Sequence, residues 1–119
     1  MAALTVQTST FAGLNYTAAS ASAADTFAND GRTMLHFVNG NASARTLTIA
    51  ANDAEKQGFG TIATPDSVIT LPGSGTNGGV ACVGPFPVDR FNNSSGVVSY
   101  TLDVATGMTV AAIKQTAYP

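Results

Sequence analysis

Apolar residues in this chain recur at every second position in short runs closed by Gly, Pro, Asn and Asp, and that period dictates strands. In Arg45–Ala50, Leu47 and Ile49 point one way while Thr46 and Thr48 point the other. Thr33–Asn39 places Leu35 and Phe37 on one face and Met34, His36 and Val38 on the other. Both faces are then at least partly buried, which predicts a strand inside its sheet. Further strands are predicted at Leu4–Gln7, Gly13–Thr17, Ser67–Leu71, Val80–Val83, Val97–Leu102 and Met108–Ile113. Asn29-Asp30-Gly31 signals a tight turn, and Asn39-Gly40 signals a hairpin with a loop longer than two residues. The Ala/Ser run 18–24 has no large apolar residue to anchor a helical stripe and is predicted as a loop. Residues 51–64 form a surface excursion, Gly73–Gly79 a flexible loop, and Gly84-Pro85-Phe86-Pro87 an edge or a crossing between sheets.

The fold class that follows is all-β: an antiparallel β-sandwich or small, jelly-roll-like barrel of about eight short strands without substantial helix. Its core is predicted from Val6, Leu35, Phe37, Leu47, Ile49, Ile69, Leu71, Tyr100, Leu102, Val110 and Ala112. With 119 residues, the chain suits one domain, with an extended N-terminal segment 1–10 and a tail 115–119. Only 10% of residues are charged and the net charge is −2, with no basic run to follow a line of phosphates. Nucleic acid is excluded as a partner on that ground. No apolar stretch approaches the length of a membrane span, and the first residues lack a signal-peptide pattern, which predicts synthesis in a cytoplasm. The nearly uncharged Ala/Thr/Ser/Gly/Asn exterior predicts a protein that packs against others.

Chemistry has few residues to work with. The single Cys82 cannot form an internal disulfide or a Cys-rich zinc site, and its valine flanks predict a buried thiol. His36 is the only histidine, and no nucleophile signature accompanies it, so a structural or interface role is predicted. The Gly73–Gly79 loop lacks the Gly-Lys-Ser/Thr ending of a phosphate loop. Asp25 with Asp30, or Asp53 with Glu55, follows no calcium-loop spacing and is predicted as solvated turn. Neither a metal nor a cofactor is expected. The absence of tryptophan and the dispersal of Tyr16, Tyr100 and Tyr118 argue against a sugar-stacking platform.

The stretch Phe27-Ala28-Asn29-Asp30-Gly31-Arg32-Thr33-Met34-Leu35-His36-Phe37-Val38-Asn39-Gly40 resembles small all-β virion structural proteins of tailed bacteriophages and prophages. Val83-Gly84-Pro85-Phe86-Pro87, Arg90-Phe91-Asn92, Gly96-Val97-Val98 and the ending Val104 to Ile113 extend the resemblance over about three quarters of the chain. It implies a non-enzymatic capsid decoration, or cement, protein on the outer surface of the phage head, bridging major capsid subunits. The implied partners are the major capsid protein and further copies of this chain, as a trimer or as clusters at local symmetry axes. A low-copy head fibre or glycan-binding adhesin is the alternative. Candidate contacts lie in the N-terminal segment (Leu4, Val6, Thr10), the Ala/Ser run (Ser20, Ser22, Asp25), at Arg32, in the excursion (Asp53, Glu55, Lys56, Phe59) and in the glycine loop (Ser74, Thr76, Asn77). For Arg32, holding the adjacent turn through carbonyls is the favoured role.

Overall fold

The computed structural model describes residues 2–10, 12–52, 55–56, 60–61 and 66–115. Apolar alternation marks several of the strands it contains. In chain order these are β1 (Ala2–Ala3), β2 (Val6–Thr8), β3 (Ala19–Ser20), β4 (Ala24–Ala28), β5 (Thr33–Asn39) and β6 (Arg45–Ile49). Then follow β7 (Glu55–Lys56), β8 (Gly60–Thr61), β9 (Ser67–Leu71), β10 (Val80–Val83), β11 (Val97–Leu102) and β12 (Met108–Lys114). Sheet I has the order β1-β4-β11-β6-β9, and sheet II has β10-β5-β12-β2, with β3 also on β12. The all-β sandwich is therefore the architecture. It is mostly antiparallel, but β1 runs parallel to β4 and β2 parallel to β12.

β5 alternates strictly between buried and half-buried positions, as a strand flanked on both sides must. Leu35 and Phe37 face Val110 and Ala112 of β12 in register, and across the sandwich lie Leu47, Ile49, Val98 and Tyr100, all buried. Nine of the eleven expected core residues are buried, and Val6 and Ile69 pack against them half-exposed. The core also takes Phe27, Phe86, Phe91 and Met108. Phe37 meets Tyr100 edge-on at 5.5 Å, and Phe86 meets Phe91 edge-on at 5.9 Å. Each such pair adds about 0.5–1.5 kcal/mol beyond the area it buries.

Several expectations are corrected. The first strand is not continuous: β1 belongs to sheet I and β2 to sheet II, and the chain crosses between them at Leu4, whose N–H donates to the Thr26 carbonyl at 2.8 Å. The N-terminal segment is thus tied into both sheets. Gly13–Thr17 forms no strand; Gln7 instead clamps Thr17 through two hydrogen bonds, of 2.8 and 2.9 Å. The Ala/Ser run contains β3 and the start of β4. Asn39-Gly40 makes no hairpin, because β5 and β6 lie in different sheets; it is a corner between them.

That corner is built on one side chain. The buried Asn39 donates to the carbonyls of Ser43 (3.1 Å) and Pro72 (3.0 Å), and its Oδ1 accepts from the Asn41 backbone and side chain, both at 2.9 Å. At the opposite end of β5, Asn29 donates to the Phe86 carbonyl and to Asn92 Oδ1, while Asn92 returns a bond of 2.6 Å to the Asn29 carbonyl. The predicted Gly73–Gly79 loop is ordered by backbone bonds and ends in a short 3-10 turn, Asn77–Gly79. A single helical turn, α1 (Val88–Phe91), follows the Gly84–Pro87 crossing and drops Phe91 into the core. Within the 51–64 excursion, β7 and β8 pair as a small hairpin.

Candidate interaction surfaces

Among the described residues, groups capable of acid–base chemistry meet in separate clusters. Asp25, expected on a solvated turn, is 1% exposed. Its position on β4 points inward beside Phe27, and the Tyr100 hydroxyl donates to its Oδ2 at 2.5 Å. The Ser22 N–H donates to the same oxygen at 3.1 Å, and the Ser22 hydroxyl bonds to Oδ1. Burial, then the Asp25 carboxylate, pushes the Tyr100 hydroxyl well above the usual tyrosine range. Asp25 and Ser22 therefore fasten the Ala/Ser run to the core, and Asp25 is withdrawn from the contact surface because its carboxylate needs these buried donors.

Asp30, in the turn between β4 and β5, accepts from Lys114 Nζ at 2.8 Å and from Arg32 Nη2 at 3.0 Å. The Lys114 and Arg32 hydrogen bonds hold its carboxyl well below the usual range. Arg32 thus secures the turn, as favoured from the sequence, but through a carboxylate rather than through carbonyls. His36 on β5 faces outward. Tyr16 Oη lies 3.0 Å from its Nδ1, with the rings edge-on at 5.1 Å, so among the described residues a phenol rather than a carboxylate orients this imidazole. Cys82 is its cross-strand partner on β10 and is exposed, not buried, because β10 is the edge of sheet II. Met34, His36, Cys82 and Ile113 line a shallow groove of about 290 Å³. A second cleft, of about 460 Å³, lies where the edge of β12 passes from β3 to β2. Among the described residues, no three His, Cys, Asp or Glu side chains converge to hold a metal ion.

The remaining contact candidates divide by burial. Leu4 and Val6 pack against the core and serve the sandwich first. Thr10 is exposed, its hydroxyl donating to the Gly13 carbonyl at 3.2 Å, and Ser20 is exposed on β3. Ser74, Thr76 and Asn77 are all exposed on one loop at the end of the sandwich. Glu55 and Lys56 form β7, while Asp53 and Phe59 lie outside the described residues.

The outer face of sheet I is a surface that the sequence reading did not single out. Alternation along its strands turns Thr26 and Ala28 of β4 outward, followed by Ser99 and Thr101 of β11. Thr46 and Thr48 of β6 and Val68 and Thr70 of β9 complete the face. Registers align Thr101 with Thr48 and Thr48 with Val68, so the hydroxyls and methyls form rows across the sheet. Val68 is 67% exposed, and no outward position named on these strands carries a charge. The signal was present in the sequence as the polar partners of the apolar alternation.

Comparison of the chain with protein-family models, with curated proteins and with solved structures found no match in any of the three. No helix among the described residues is long and apolar enough to cross a membrane.

Proposed function

We propose that this chain is a non-enzymatic virion structural protein that decorates the outer surface of a tailed-phage head and bridges neighbouring major capsid subunits. The observation that carries the reading is the outer face of sheet I, whose outward strand positions are Thr, Ser, Ala and Val without charge. Such a face is covered at little desolvation cost, because hydroxyls can pair with a partner backbone and no ion has to be buried. The exposed loop at Ser74, Thr76 and Asn77 adds a second element, at the end of the sandwich, for reaching an adjacent subunit. Weak contacts of this kind are multiplied by the valency of a lattice.

The resemblance supports the same reading from the chain itself. Its longest stretch, Phe27 to Gly40, comprises the last two residues of β4, the Asp30–Arg32 turn and all of β5, with the Asn29 cluster at one end and the Asn39 cluster at the other. This stretch is the frame of the sandwich, so the resemblance speaks for the scaffold and the exposed faces speak for the task.

The test is the copy number of this chain relative to the major capsid protein in purified virions, by quantitative mass spectrometry. A ratio of one to one, or another simple fraction, is expected. A few copies per particle would replace decoration with a head fibre or glycan-binding adhesin, and absence from the particle would end the virion reading.

A further inference from the structure

The sequence holds two Asn-Gly pairs, Asn39-Gly40 and Asn77-Gly78, and the structure treats them oppositely. Asn39 is fully buried, with its amide nitrogen bonded to two carbonyls and its oxygen to two donors. Asn77 is exposed, and its side-chain amide makes no hydrogen bond among the described residues. It holds a positive φ of 50°, in a left-handed conformation that few non-glycine residues adopt. A Cβ on Gly78 after it would meet nothing within 4 Å, and the Gly78 N–H takes part in none of the backbone bonds that order the loop.

We infer that Asn77 is a built-in site of spontaneous deamidation, and that Asn39 is protected from the same reaction. The Gly78 amide nitrogen, having lost its proton to solvent base, attacks Asn77 Cγ. A C–N bond forms, the bond from Cγ to the side-chain nitrogen breaks, and ammonia leaves with a proton from water. Water then opens the five-membered imide at either carbonyl, giving aspartate or isoaspartate at position 77. The overall reaction consumes one water, releases one ammonia and needs no oxidant or enzyme. Glycine in the following position matters because any side chain there would crowd the ring closure.

The other exposed asparagine followed by a small residue, Asn93 before Ser94, has its Oδ1 held by the N–H groups of Ser95 (2.8 Å) and Val97 (3.1 Å). Asn77 is thereby distinguished from both Asn39 and Asn93. Conversion adds one negative charge to a chain of net charge −2, within a loop that carries none. On the function proposed above, that charge enters a contact loop, so an aged chain would differ from a fresh one at its binding surface. The chemistry itself does not depend on that reading.

The experiment incubates the folded full chain in warm, mildly alkaline buffer and follows the amide-to-acid mass change by peptide mapping, with urea-unfolded chain in parallel. In the folded chain Asn77 is expected to convert at least about tenfold faster than Asn39, because reaction at Asn39 first requires four hydrogen bonds to open. In the unfolded chain the two rates should agree within about threefold, both being Asn-Gly. Gly78→Ala, which meets no clash but takes modest strain from φ +66°, should slow conversion at position 77 by about tenfold while the chain still unfolds cooperatively. Equal rates at Asn39 and Asn77 in the folded chain would overturn the inference. So would an intact Asn77 at times when the unfolded chain has converted it.

Discussion

Tyr100 shows how much one polar side chain does inside this sandwich. Its ring packs on Phe37 and Phe27, and its hydroxyl closes the buried Asp25–Ser22 cluster. Tyr100→Phe should cost about 1–3 kcal/mol in denaturant unfolding at neutral pH, because the Asp25 carboxylate stays buried with one donor fewer. The pH dependence has a definite sign. Tyrosine in the unfolded chain ionises near its ordinary value of 10.0, while in the folded chain it is raised above that. Its contribution is therefore whole below pH 10.0 and is lost as the solution becomes more alkaline. Stability measured above that point should fall more steeply for the native sequence than for Tyr100→Phe. Parallel curves would show that Tyr100 ionises alike in both states. Asp25 also marks where residue-level reading failed: an aspartate among alanines looks solvated, and nothing local announces that a tyrosine 75 positions later supplies its donor.

Between elements, the tightest joint lies where the glycine loop meets the end of β5. A Cβ on Gly79 would stand 2.1 Å from the Asn39 carbonyl oxygen, on backbone held at φ +76°. Gly79→Ala should therefore cost about 3 kcal/mol or more. Gly78→Ala, at φ +66° but with no clash, should cost less, about 1–2 kcal/mol. Thermal or urea unfolding of the two variants side by side checks the contrast, and equal losses would mean that the loop relaxes away from β5. Strands with large inward apolar residues, such as β5, β6, β11 and β12, were legible from alternation. β4 was hidden because one of its inward positions is the acid Asp25, which breaks the pattern that Phe27 alone cannot carry. Cys82 was misread for a related reason: its valine neighbours are those of a covered strand, but sheet order, which placed β10 at an edge, is a long-range property. The Asn39-Gly40 corner likewise has the residues of a hairpin, and only the sheet assignment of β6 distinguishes the two.

At the scale of the molecule, the two sheets divide the work. Their inner faces hold the fold together, and the outward hydroxyls of sheet I contribute little to it. Thr70→Lys and Thr101→Lys should each leave stability within about 0.5 kcal/mol of the native chain, both side chains being exposed. If this face seats on a capsid, the same variants should rebind heads stripped of the protein at least about tenfold more weakly, since a lysine would be desolvated without a partner. Undiminished rebinding of both would move the contact to another surface. The exposed site was legible only in part, because alternation shows which residues face out but not which outward rows align across a sheet without charge.

The strand order carries one more consequence, for how the chain comes into being. β2 pairs with β12 in parallel, Val6 beside Ala112, and β12 also lies against the whole length of β5. A nascent chain that has emerged only as far as α1 thus holds β5 with one side open and β2 with no neighbour in its sheet. Sheet II cannot be sealed until Met108–Lys114 clears the ribosome, so the sandwich closes in a late step, roughly a hundred residues after its first strand was made.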